Sequence, residues 1–217
     1  MLDLGAGNGF PSCRLVAKNA NINLSILDIS SNMLTEAKNQ LLAANQSPQL
    51  IHGDLNNLVL RANSYDGAIS CCTLQFVLQL HEFFQRLKSA LCSGGILCLI
   101  FYDPMDLRLQ LVHKYFPGLN AIDQYRHHSQ DAVLDVLRRC SFRSLHAETL
   151  DYWITFPDAS SYIKFISERP FSVFNSMPVS EFNNGLEVFL PIIRREFPDG
   201  PVNSPGRLRL LIAEAKT

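Results

Sequence analysis

Short apolar runs alternate with stretches whose apolar residues recur at helical spacing, and this alternation organises most of the chain. Met1–Leu4 is apolar around Asp3 and leads into a glycine loop, Gly5–Gly9. Pro11 suits the first turn of a helix, where its missing N–H has no partner in any case, and Leu15 and Val16 continue that helix. Leu24–Ile29 is a short strand-like run ending at Asp28. Ser30 or Ser31 caps a helix carrying Met33, Leu34, Ala37, Leu41 and Ala44 on one side. Leu50–Asp54 is the next strand candidate. Tyr65–Thr73 follows, apolar on both faces as a central parallel strand is. Phe84, Leu87 and Leu91 mark a helix that stops at Gly94–Gly95, before a buried strand at Ile96–Tyr102. Ser129 caps a helix with Val133, Leu134 and Leu137, and Phe142–Leu150 reads as a strand. Strand and helix alternating at such short intervals predict an open, mostly parallel α/β sheet with helices on both faces.

The rhythm breaks at Asp151–Gly206. Asp158 starts a helix with Tyr162, Ile163 and Ile166 on one side, which Pro170 ends. Ser180 caps a second, with Phe182, Leu186, Phe189, Leu190 and Ile193 on one face and a kink expected at Pro191. Turn chemistry at Pro198–Gly200 and Pro205–Gly206 then precedes a last strand, Arg207–Ala215. The expectation is one domain over residues 1–217 with residues 151–206 as a helical, lid-like insertion before its last strand. The aromatic side chains gathered there must bury against something, and the carboxyl edge of the sheet is the candidate.

Composition changes this picture little. At 217 residues, 47% hydrophobic and 18% charged, the chain has room for one sizeable core. A net charge of −1, with no basic run longer than a pair, gives no electrostatic footprint for nucleic acid or an anionic membrane. No apolar run is long enough to span a bilayer. Six cysteines without a C-x-x-C spacing read as reduced core residues, and no metal-ligand pattern is present. A soluble, cytoplasmic protein is expected, acting without nucleic acid or membrane partners.

The candidate chemistry lies where strands end. Asp3-Leu4-Gly5-Ala6-Gly7-Asn8-Gly9 follows a strand and opens a helix, so backbone approaches a ligand where a Cβ would clash. A dinucleotide fingerprint needs G-x-G-x-x-G; here the third glycine comes one residue early and Phe10 takes its place. Asp28 ends the following strand, where a carboxylate accepts hydrogen bonds from both ribose hydroxyls, because ligands of open sheets lie beyond the carboxyl ends of the strands. Gly53-Asp54 ends the next, where Asp54 accepts from an exocyclic adenine amine. Asp3 sits inside a buried strand and needs a donor, such as the ammonium of an amino-acid ligand. The three acids suit a ligand with adenine, ribose and an aminocarboxylate, and no phosphate.

Taken in order, MLDLGAGNG, LDISSNML, GDL and the stretch from YDGAISCCTLQF to LCSGGILCLIFYD resemble the successive motifs of class I S-adenosylmethionine-dependent methyltransferases. They are most similar to the small-molecule branch often called type 11. The resemblance implies a Rossmann-like sheet with an antiparallel last strand, and S-adenosylmethionine as cofactor. It implies that Asp3, Gly5, Gly7 and Gly9, with Ala6 and Asn8 between them, surround the methionine part. Asp28 would hold the ribose and Asp54, after Gly53, the adenine; Ile29 and Leu55 would sandwich the base, with Met33 beside it. Thr73 completes the set, facing the methyl group unless it only satisfies its own strand–helix turn. The family usually has helices before the first motif, and here the motif begins at residue 1. An inactive, truncated cofactor-binding module is therefore an alternative to an active enzyme.

The acceptor side is less defined. Gln75, His128, Tyr152 and Trp153 are the candidates, each with a plainer reading as a turn, solvated-loop or packing residue. No catalytic base stands out, which suits a carboxylate, amine or thiol acceptor more than a hydroxyl or carbon one. A looser likeness to malonyl-carrier-protein methyltransferases makes carboxyl methyl ester formation on a carrier-bound acyl group an alternative to a free small molecule.

Overall fold

A computed structural model describes residues Met1–Lys216. It contains one seven-stranded sheet in the order β3-β2-β1-β4-β5-β7-β6. The strands are β1 (Leu2–Leu4), β2 (Ser25–Asp28), β3 (Gln49–His52), β4 (Tyr65–Cys71), β5 (Leu91–Phe101), β6 (Phe142–Phe156) and β7 (Val202–Ala215). β1 lies between β2 and β4, parallel to both, with Asp3 level with Ile26 and Ile69. β3 and β5 extend the parallel part, and β7 runs antiparallel to β5. The strand order reverses at β1 and β4, and open α/β sheets bind ligands at such a reversal, beyond the carboxyl ends of the strands.

The chain divides into two compact units. The first comprises Met1–Phe101, Gln130–Glu148 and the stretch from Arg209. Its helices are α1 (Phe10–Lys18), α2 (Ser31–Ala43), α3 (Leu80–Ala90) and α7 (Gln130–Arg139). Successive strand residues point to opposite faces, so the sheet builds two cores. Leu24 and Ile26 pack with Val16 of α1 and Leu34, Ala37 and Leu41 of α2. On the other face, Leu27, Leu97, Leu99 and Leu211 pack with Phe83, Phe84 and Leu87 of α3 and Val133 and Leu137 of α7. Ser30 caps α2 by accepting the Met33 N–H at 3.3 Å.

The second unit comprises Tyr102–Ser129 and Thr149–Leu208. It holds α4 (Pro104–Leu107), α5 (Leu111–Tyr115), α6 (Leu119–Arg126), α8 (Ala159–Ser167), α9 (Ser172–Asn175) and α10 (Val179–Glu196). Phe116, Tyr162, Phe174, Phe182 and Phe189 form the centre of its own core. The sequence pattern foresees α8 and its cap, since Asp158 accepts the Ser161 N–H at 2.7 Å. It does not foresee α4–α6, whose four to eight residues are too short for a helical period to register.

Several boundaries differ from those the sequence suggests. Leu91 is strand rather than helix: α3 stops at Ala90, β5 starts at once, and the residues between Leu91 and Ile96 form a bulge. α10 begins at Val179 after Pro178, so Ser180 is inside the helix rather than its cap, and the helix runs through Pro191 to Glu196. β6 continues to Phe156 and β7 starts at Val202, so the helical part of Asp151–Gly206 is confined to the residues between these strands. β6 is exposed along most of its length, so pattern alone under-reads it, and Pro205–Gly206, read as a turn, lie within β7.

Candidate functional site

The glycine loop leaves β1 and folds back on β2, with the Gly5 and Ala6 N–H groups both donating to the Leu27 carbonyl at 2.8 and 2.9 Å. Gly5 adopts φ +69°, and a Cβ there would lie 2.4 Å from Cγ2 of Thr73. No other residue fits that contact. Gly7 also has positive φ, at +53°, yet nothing lies within 4 Å of where its Cβ would be. Gly5 is thus required for packing, whereas Gly7 faces open space. Ala6 is buried, Gly9 caps α1, and the exposed Asn8 accepts the Phe10 N–H at 3.2 Å.

Asp28 ties the loop to the next helix. Its Oδ2 accepts the Gly7 N–H and its Oδ1 the Ser30 N–H, both at 2.8 Å. One lone pair remains on each oxygen. Asp3 is fully buried in β1 and accepts a hydrogen bond from Ser12 Oγ at 2.5 Å. Burial pushes its carboxyl up to about 6; the Ser12 bond opposes this and the charge of Asp28 adds to it. Ser12, on the buried side of α1, escapes the sequence reading. Its signal is a hydroxyl four residues before Val16, on the same helical face.

Gly53 donates to the Asp28 carbonyl at 3.1 Å, which sets β3's end beside β2's. Asp54 Oδ1 accepts from both the backbone N–H and the side-chain amide of Asn56, at 2.9 and 3.0 Å. Leu55 begins a short 3₁₀ turn and is buried in the core. Ile29 and Met33, by contrast, are 67% and 37% exposed. The apolar surface offered to solvent beyond β2 is therefore Ile29 with Met33 rather than Ile29 with Leu55.

Thr73 is buried, bonded to Ser70 Oγ and donating to the Leu4 carbonyl at 3.1 Å. Its hydroxyl closes the β4 turn onto β1, and its methyl fills the space left by Gly5. Gln75 donates to the Cys72 carbonyl at 2.6 Å, while its Oε1 is buried without a partner.

All these residues belong to the first unit; His128, Tyr152 and Trp153 belong to the second. Tyr152, in β6, shares a hydrogen bond of 2.8 Å with the Tyr102 hydroxyl and receives one of 3.4 Å from Gln110 Nε2. Its ring covers Gly206, where a Cβ would lie 2.2 Å from it. Trp153 is the next residue along the strand, so it faces the opposite way and is 65% exposed. His128 is half-buried in the loop after α6. Its neighbour His127 stacks edge-on against Tyr102 and lies 3.6 Å from Asp123, which also receives His113 Nε2 at 2.8 Å and Arg126 at 2.9 Å. Although burial would raise it, the hydrogen bonds and charges of His113 and His127 hold the Asp123 carboxyl far below its ordinary value. Tyr102 and Gln110 are not foreseen from sequence, although Tyr102 directly follows the carboxyl end of β5.

Among the described residues no group of three or more His, Cys, Asp or Glu is arranged to hold a metal, and no helix is long and apolar enough to cross a membrane. The cysteines are free thiols, of which Cys140 is buried and the others half-buried.

Residues 2–99 match a family model described as a methyltransferase domain. The malonyl-[acyl-carrier protein] O-methyltransferase of Geobacter sulfurreducens is 23% identical over 186 residues, covering 83% of this chain and 68% of the relative. The demethylmenaquinone methyltransferase of Chlamydia pneumoniae is 32% identical over 104 residues, 48% of this chain, which spans less than half (44%) of that relative. In fold, the crystal structure of an S-adenosylmethionine-dependent methyltransferase from Mesorhizobium loti superposes with a TM-score of 0.58 at 20% identity, over 98% of this chain and 89% of that one.

Proposed function

We propose that this chain, whose residues 2–99 match a methyltransferase-domain model, is a class I S-adenosylmethionine-dependent methyltransferase that transfers a methyl group to a small molecule or a carrier-bound acyl group. The observation that carries the reading is the open side of the glycine loop. Gly7 leaves space where other residues would place a Cβ, and Asp28 holds the loop's backbone while keeping a lone pair on each oxygen. S-adenosylmethionine is the cofactor that fits, and when bound it supplies a methyl group activated on a sulfonium.

The residues divide the task of holding it. Asp3 is a carboxyl whose protonation point burial raises, and the ligand's ammonium would serve as its counter-charge, directly or through water. Asp28 accepts from the ribose hydroxyls, and Asp54 from the adenine amine. Ile29 and Met33 give the base an apolar surface, while Leu55 supports the Asp54 turn from the core. Gly5, Ala6, Asn8, Gly9, Gly53 and Thr73 fix the backbone around these groups. Thr73 acts by positioning the loop rather than by touching the acceptor. Gln75, with its unpartnered oxygen, is the acceptor-side residue of the first unit.

In-line displacement from a sulfonium asks the protein for alignment and exclusion of water more than for a base. A carboxylate acceptor is therefore feasible here. The likeness to the Geobacter enzyme, which covers 83% of the chain and so extends past the methyltransferase model, favours carboxyl methyl ester formation on a carrier-bound malonyl group as the finer reading. Calorimetric titration with S-adenosylhomocysteine and NAD, followed by label transfer from S-adenosylmethionine to a malonyl-carrier protein and to free small acids, tests both levels. Binding of NAD without S-adenosylhomocysteine would refute the cofactor assignment. Binding without transfer to any acceptor would instead leave a cofactor-binding module.

A further inference from the structure

The second unit contains a narrow pocket between β6, α8 and the start of β7. Ile154, Phe156, Phe165 and Phe171 form its walls. The polar groups at it are uncharged: Gln110, Tyr152, Tyr162 and Ser204. Tyr162 stands out among them. It is 2% exposed, and its hydroxyl makes no hydrogen bond of good geometry, the Ser204 hydroxyl and the Val112 backbone being weaker partners. A buried hydroxyl held so weakly is open to a better partner from outside the chain. Ser204 Oγ accepts the Leu111 N–H at 3.4 Å and still has its own hydrogen to donate. Gln110 and Tyr152 are already joined to each other, and Tyr152 to Tyr102. Two hydroxyls able to donate, Tyr162 and Ser204, thus line an aromatic slot whose lining residues carry no charge.

We propose that this pocket binds an uncharged part of the methyl acceptor, a neutral carbonyl on an apolar ring or acyl chain, with Tyr162 and Ser204 donating to the carbonyl oxygen. The proposal rests on the methyltransferase reading for calling the ligand an acceptor; the pocket itself belongs to the second unit alone. Size sets the scope. The space enclosed with the solvent at its mouth is about 240 Å³, below the roughly 300–1,000 Å³ of a pocket that engulfs a whole drug-sized ligand. Its interior has room for about one water. The ligand's oxygen takes that place, and its apolar body lies at the mouth against Ile154, Phe165 and Phe171. An ionised carboxylate is disfavoured, because it would lose its hydration with no cation to replace it.

The test uses the full chain with S-adenosylhomocysteine present and four probes read by saturation-transfer NMR. These are acetophenone, the hexanoyl thioester of N-acetylcysteamine, benzoate and hexanoate. At least one neutral probe should bind about tenfold more tightly than the corresponding carboxylate. Tyr162→Phe should weaken that probe about fivefold, the loss of one hydrogen bond, with S-adenosylhomocysteine affinity unchanged by calorimetry. Ser204→Ala should do the same if Tyr162→Phe does not fold. Binding of the ring ketone alone, or of the thioester alone, identifies the acceptor's body. Equal binding of the carboxylates, no effect of either substitution, or no probe bound (a structural water only) overturns the proposal. Loss of S-adenosylhomocysteine binding while the neutral probes still bind would instead refute the cofactor reading and leave the pocket standing.

Discussion

Replacing Asp3 with Asn should make the free protein more stable and its cofactor binding weaker. In the folded chain the Asp3 carboxyl titrates at about 6 against an ordinary 3.8, chiefly because it is buried. A folded-state value raised above the unfolded one means that ionisation opposes folding. The cost is absent below about pH 3.8, grows through the window from 3.8 to 6, and is complete above it. At about 1.4 kcal/mol per unit, the ionised group costs the free protein on the order of 3 kcal/mol at pH 7.5. At pH 4 the cost is under about 1 kcal/mol. Asn keeps an oxygen for the Ser12 hydroxyl and carries no charge. Urea unfolding of wild type and Asp3→Asn should therefore show the variant more stable by about 2–3 kcal/mol at pH 7.5 and nearly equal at pH 4. Calorimetry with S-adenosylhomocysteine at pH 7.5 should show the reverse order, because the ligand's ammonium loses its anion, at a cost of about 1–3 kcal/mol. Wild-type affinity should also fall as pH drops through 6. A stability difference independent of pH, or cofactor affinity unchanged by the substitution, would refute the reasoning.

Three further outcomes follow from the same geometry. Asp28→Ala removes the acceptor of the Gly7 and Ser30 N–H groups as well as that of the ribose; its S-adenosylhomocysteine affinity should drop by at least about 1–3 kcal/mol, more than for Asp28→Glu, and equal affinities would mean that the ribose is held elsewhere. Gly5→Ala puts a Cβ 2.4 Å from Thr73 in a left-handed backbone, whereas Gly7→Ala meets no atom, so thermal unfolding should rank Gly5→Ala well below Gly7→Ala, which should lose only about 1 kcal/mol from its positive φ; equal losses would contradict the packing role of Gly5. Asp123→Leu leaves His113 and Arg126 without their buried anion and should cost about 3–5 kcal/mol; because the Asp123 carboxyl is held low, its contribution is present above pH 3.8 and lost as pH falls through its depressed value, so hydrogen exchange in α5 and α6 should rise at acid pH, and a wild-type profile flat to strong acid would argue against it.

The parallel sheet, the glycine loop and the placing of three acids in or beside strands could be read from the chain alone. Each of these is local: a strand buried on both faces needs a run of apolar residues, a close backbone turn needs glycines at fixed offsets, and a strand's last residue is by connectivity at its carboxyl end. Asp28 and Asp54 were legible because an acid follows an apolar run at its carboxyl end, and Asp3 because an acid stands inside such a run. What depended on partners distant in the chain was decided only by tertiary structure. Ser12 meets Asp3, Thr73 fills the space above Gly5, and Leu55 turns inward while Ile29 and Met33 stay exposed. Tyr102 and Tyr152 are 50 residues apart and join through their hydroxyls. The second unit shows the limit most clearly. Its short helices leave no period to read, and its core is assembled from Tyr102–Ser129 and Thr149–Leu208, two segments separated in sequence by α7 and the first part of β6. Periodicity records which side of one element is buried; which elements bury it together is a property of the folded chain.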